Sequence, residues 1–173
     1  MTFLPRSVRV LAPGFLIGLL GTLIAPSASA QVLYCNPKVN SKGCTPAIGW
    51  AGTSSVSAPF GFVISGSNSI NNAKGWLNYS VSGSNNSVFA GGTLCIRRPI
   101  FSTPTQDSMG TPGGVDCTGL FLVDMNAFAA RGGEPFLRVP GTTVWAQFQG
   151  QDIGYIVPND VYLSDGIEYT VGL

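Results

Sequence analysis

A chain of 173 residues with 45% hydrophobic side chains, 10% charged ones and a formal net charge of +1 suits one folded domain with a two-layer core. It contains no histidine, which removes Ser-His-Asp and Cys-His catalysis, histidine-bound zinc or copper, and an imidazole pH switch. With so few charges there is no basic stripe to neutralise a phosphate backbone, so no nucleic-acid partner is expected.

Residues 1–30 carry Arg6 and Arg9, an apolar run from Leu11 to Ile24, and then Ala28, Ser29 and Ala30 before Gln31. This pattern predicts a cleaved secretory signal peptide, followed by a single secreted domain over 31–173. The apolar core is too short to cross a bilayer comfortably and contains Gly18 and Gly21, so no membrane span is expected after cleavage. The bulky Tyr34 before Cys35 argues against a lipoprotein signal. Cleavage removes two arginines and no acid, so nine basic groups become seven, against eight acidic ones. The expected destination is the cell envelope or the exterior.

Four cysteines, Cys35, Cys44, Cys95 and Cys117, form an even set in a chain sent to an oxidising compartment, where thiols pair. Three pairings are formally open. The expected one is Cys35 with Cys44 and Cys95 with Cys117, because both close short loops rich in Gly, Pro and Asn. No CxxC spacing supports a zinc site.

Along the mature chain, Phe60 to Ser65 alternates as a strand with Phe60, Phe62 and Ile64 on one face. Trp76 to Val81 alternates again, Leu77, Tyr79 and Val81 opposing Trp76, Asn78 and Ser80. Ser87 to Arg97 reads as a strand, or a pair of short strands, broken at Gly91 and Gly92, with Leu94 and Ile96 inward and Cys95 and Arg97 outward. A Pro- and Gly-rich loop, 99–114, leads to a strand near Leu120 to Met125. One helical turn over Asn126 to Ala130 follows, capped by Asp124 or Asn126. In Thr143 to Gln149, Val144, Ala146 and Phe148 face one way while Trp145, Gln147 and Gln149 face the other. Ile167 to Leu173 repeats the alternation, after a shorter piece around Val161 to Leu163. The whole reads as an all-β, antiparallel β-sandwich, jelly-roll-like, with at most one short helix; a closed barrel would give much the same pattern.

Candidate chemistry is sparse. Trp145, Gln147 and Gln149, in a row on an outward face, could stack on a sugar ring and bond its hydroxyls. Trp50 and Trp76, at strand starts, read as core. Asp152, Asn159, Asp160 and Asp165 offer hard oxygen ligands near two strand ends, a possible Ca2+ site, although Asx turns explain the same residues. Carboxylate-dependent hydrolysis has only the pool Asp107, Asp116, Asp124, Glu134, Asp152, Asp160, Asp165 and Glu168, none in a catalytic pattern. Lys38, Lys42 and Lys74 sit in polar turn sequence and are expected to be solvated rather than partners of an activated serine.

The blocks "VWAQFQGQD", "VPND" and "LSDGIEYTV", with "CTGLFLVDMNAF" upstream and "CNPKVNSKGCTPAI" after the leader, resemble a family of exported bacterial β-sandwich domains. The resemblance implies fold, export and paired cysteines, and brings no activity or catalytic residues. The family pattern often places an aromatic and an arginine before the aspartate matching Asp152, where this chain has Gln149, Gly150 and Gln151. The expectation is therefore a non-enzymatic secreted or surface-associated binding or adhesion module for an extracellular glycan or surface protein. The alternatives are a self-associating subunit of a fibre or surface layer and, third, a hydrolase.

Overall fold

The computed structural model describes residues 30–173, so the predicted leader lies outside the described residues except for Ala30. Among the described residues eleven strands are formed: β1 (Val32–Tyr34), β2 (Ala47–Gly52), β3 (Phe62–Ser69), β4 (Lys74–Ser80), β5 (Ser84–Phe89), β6 (Gly92–Ile96), β7 (Phe101–Ser102), β8 (Gln106–Asp107), β9 (Gly119–Asp124), β10 (Thr143–Gln151) and β11 (Val161–Thr170). One short helix, α1 (Met125–Ala130), and a 3-10 turn over Pro135–Arg138 sit between β9 and β10. Among the described residues no helix is long and apolar enough to cross a membrane.

The antiparallel hairpin of β10 and β11 is the centre of the larger, six-stranded sheet, which runs β1-β11-β10-β4-β7 with β8 also on β4. Its register sets Val144 opposite Tyr169 and Ala146 opposite Ile167, and on the other flank Phe148 opposite Leu77, so the apolar partners share one face. That face packs on a three-stranded sheet, β2-β3-β9. Phe148 stacks on Phe121 of β9 at 5.7 Å between ring centroids, and Tyr169 meets the edge of Phe62 of β3 at 4.9 Å. These ring pairs, with Ile64, Leu77 and Tyr79, form the middle of a sandwich core. Two separate sheets exclude the closed barrel.

Alternation locates these strands well, with instructive exceptions. β3 begins two residues later than its pattern: Phe60 is exposed, because Gly61 turns the chain at φ 103° and donates its N–H to Asp124. Asp124 also caps α1, accepting from the Ala127 N–H at 3.0 Å, as expected for a helix start. β11 is one continuous strand rather than two pieces. Trp50 is exposed, not core, because β2 is an edge strand.

The antiparallel hairpin of β5 and β6 lies across the outward face of the large sheet. It buries side chains that a two-layer reading leaves in water: Cys95, Gln147, Asn78 and Ser80 are all buried. Both expected disulfides are replaced. Cys35 pairs with Cys95 and Cys44 with Cys117, across 60 and 73 residues. The local loop 35–44 needs no bridge of its own, since the Asn40 carboxamide accepts from the N–H groups of Lys42 and Cys44, both at 3.0 Å. The cysteines are left to tie β1 to the overlying hairpin and the approach to β2 to the approach to β9. Two such bridges in one chain are the mark of an oxidising compartment.

Candidate functional site

The connection from β10 to β11, residues 152–160, is held at its base by two polar side chains from the loop after β1. Asp152, fully buried, accepts from the Ser41 N–H at 2.8 Å and the Ser41 hydroxyl, and from the Gly154 N–H at 3.3 Å. Asp152 and Asp160 close the neck of the loop through an N–H to carbonyl bond of 2.8 Å. The second fastening is Lys38, the lysine that composition assigned to solvent. It is only 8% exposed, and its ammonium donates to the carbonyls of Ala90, Asn159 and Val161 at 2.7, 2.6 and 2.6 Å. It also lies 5.0 Å from the centre of the Tyr155 ring, within cation–π range. Burial pulls the ammonium's pKa below its usual value, and the charges of Asp152 and Asp160 oppose that shift.

Lys38 thus joins three segments distant in sequence: its own loop, the tip of the β5–β6 hairpin at Ala90, and the 152–160 loop. What they display outward is apolar. Ile153, Ile156 and Val157 are 82%, 85% and 76% exposed, with Val39 and Val88 also exposed. Tyr155 stands between two shallow basins. One, of about 610 Å³, is lined by Ile153, Ile156, Val157 and Asp160. The other, of about 510 Å³, is lined by Val39, Thr93 and Asn159.

The four oxygen donors predicted to bind Ca2+ do not converge. Asp165 sits within β11 and accepts from the Ile48 N–H of β2 at 2.7 Å, whereas Asp152 is spent on Ser41. Among the described residues no group of three or more His, Cys, Asp or Glu side chains is placed to hold a metal ion. The loop oxygens that do converge, the carbonyls of Asn159 and Val161, hold the ammonium of Lys38 instead. Burial raises the Asp165 carboxyl's pKa, with the Ile48 N–H acting against the shift.

In the predicted sugar row the overlying hairpin covers Gln147, and all three side chains are bonded to neighbours. Gln147 is 1% exposed; its carboxamide accepts from the Cys95 N–H at 3.1 Å and donates to the carbonyls of Thr93 and Ser164 at 3.0 and 2.7 Å. Gln149 accepts from the Asn78 carboxamide at 2.9 Å, and the half-buried Trp145 donates its indole N–H to Glu168 at 2.8 Å. Gln147 thus ties the sheet to the hairpin above it, while Gln149 and Trp145 bond to neighbouring strands of their own sheet. Other carboxylates are similarly engaged: Asp116 with Thr118, and Asp107 with Lys74 at 3.1 Å. The segment Ile153 to Pro158 carried a legible signal: an apolar run inside turn-forming sequence, where no strand or helix could bury it.

No family model, curated protein or solved structure matches this chain.

Proposed function

We propose that this chain is an exported, non-enzymatic binding module that adheres to an extracellular surface through its apolar loop end. One observation carries the reading: three aliphatic side chains stand in water on a loop whose backbone is clamped by Asp152 and by the bonds of Lys38 to the carbonyls of Asn159 and Val161. Burying such a side chain fully is worth roughly 1.5 to 3 kcal/mol. Because the loop is already ordered, little of that gain is lost to immobilising it on contact. The leader pattern read in the sequence over 1–30 and the two disulfides support a secreted or envelope location. The partner this surface suits is the apolar patch of another exported protein.

The test is retention of fluorescently labelled mature domain on cells that export it, measured by flow cytometry. The double variant Ile156→Asp and Val157→Asp is expected to lose retention by at least about tenfold while keeping the wild-type circular dichroism. Equal retention refutes the assignment.

A second reading, self-assembly, is favoured by β9. Among the described residues the only strand laddered to this one is β3, although its Leu120 N–H also donates to the Ser108 carbonyl; it carries the exposed Leu120 and Leu122, and borders a groove of about 440 Å³ that also touches Pro104 and Phe128. Sedimentation of wild type against Leu122→Asp separates the two: concentration-dependent association abolished by that change supports the subunit, and a monomer at all concentrations rejects it.

A further inference from the structure

At the base of the β5–β6 hairpin, away from the loop end, a second cleft has a different character. It measures about 430 Å³ and lies between the end of β1 and the start of β5. Its back wall is rigid: the Tyr34 hydroxyl donates to the Cys95 carbonyl at 3.0 Å, and the Cys35–Cys95 disulfide joins the two sides. A register shift between Ser84 and Ser87 takes Asn85 and Asn86 out of the ladder to β6, so their side chains serve the cleft rather than the strand pair.

The polar groups here are largely unspent. Among the described residues the side chains of Asn36, Asn86 and Arg97 make no hydrogen bond or ion pair. Asn85 donates to the Ser87 hydroxyl at 2.7 Å, which leaves its carboxamide oxygen open. Carboxamides offer donors and acceptors together, the combination that matches vicinal hydroxyls, whereas a guanidinium is a planar fork for a carboxylate or sulfate. Glu168 lies close enough to Tyr34 for its charge to help burial raise that phenol's pKa, so negative potential borders the site. A single cation beside that border accepts one anionic group and disfavours a polyanion.

We propose that this cleft binds an acidic saccharide, its hydroxyls on the carboxamides of Asn36, Asn85 and Asn86 and its anionic group on Arg97. The site is independent of the loop end, and a domain can have either without the other.

The experiment is a titration of 15N-labelled mature domain with three short galactans of matched length: one carrying a single terminal galacturonate, one carrying a single sulfate and one neutral. Binding of either acidic probe, with shifts at the side-chain amide signals of Asn36, Asn85 and Asn86, is the expected result, and the stronger of the two identifies the anionic group. Arg97→Gln, an exposed change that leaves the core intact, is expected to weaken that binding by about tenfold or more. High salt is expected to act in the same direction. No shift at these amides with either acidic probe overturns the proposal. So does equal affinity for the neutral galactan, or undiminished binding by Arg97→Gln.

Discussion

Replacing Lys38 by methionine isolates the clamp on the loop end, because methionine keeps an unbranched apolar stem and removes only the ammonium. Three bonds from a charged donor to the carbonyls of Ala90, Asn159 and Val161 are lost. At roughly 1.5 kcal/mol each, the low end for charged donors, the gross loss is about 4 to 5 kcal/mol. Two effects offset it. Asn159 is exposed, so its carbonyl regains water, and the variant no longer carries the burial penalty that pulls the lysine's pKa down. The expected net destabilisation is about 2 to 3 kcal/mol, read from urea unfolding at unchanged m-value. Hydrogen exchange should localise the effect: the N–H groups of Tyr155 and Asn159, bonded within the loop at 3.1 and 2.8 Å, lose protection, while those of β10 and β4 keep theirs. A change below about 0.5 kcal/mol with unaltered exchange in the loop would refute the reasoning, since it would mean that the loop is ordered without its ammonium.

Three further outcomes follow from the same packing. Burial pushes the phenols of Tyr79 and Tyr162 up to about 12, and those of Tyr34 and Tyr169 up as well. In the unfolded chain they ionise near pH 10, so their stabilisation is complete below that pH and is lost as pH rises through about 12, on the order of 2 kcal/mol for each of the first two. Lys38, with its pKa lowered on folding, works weakly the other way; alkaline unfolding should therefore coincide with tyrosinate absorbance, and early tyrosinate signal from a folded chain would contradict it. The Asp165 carboxyl has its pKa raised on folding, so its charge weakens the fold as pH rises through that value: Asp165→Asn, which can still accept from Ile48, should be neutral or stabilise by up to about 1 kcal/mol near pH 7, with no gain near pH 3. Cleaved under non-reducing conditions, the protein should give peptides linked 35–95 and 44–117. Removing either bridge alone should cost about 4 kcal/mol, as expected for loops spanning 60 and 73 residues, and a loss under 1 kcal/mol would count against that entropic account.

The faces of the central hairpin were legible because period-two alternation is local: Val144, Ala146 and Phe148 needed no knowledge of the rest of the chain. The cap on α1 was legible for the same reason. Alternation does not say whether a third layer covers the outward face, and β5 with β6 does cover it, turning Gln147 from an expected ligand contact into a buried fastening. The cysteine pairing failed on the same ground. Short loops close cheaply in the unfolded chain, but in the folded one Asn40 already stabilises the 35–44 turn, and the sheet order decides which sulfurs meet. Lys38 was illegible because its three acceptors come from positions 90, 159 and 161. Nothing local to Lys38 announces them.

Hydrogen exchange of the mature domain, free and bound on the cell surface that retains it, locates the adhesive contact on the molecule. Protection gained over residues 153–157, with the outward faces of Trp145 and of β9 unchanged, is the predicted footprint. Protection over β9 or around Trp145, with 153–157 exchanging as freely as before, would contradict the account.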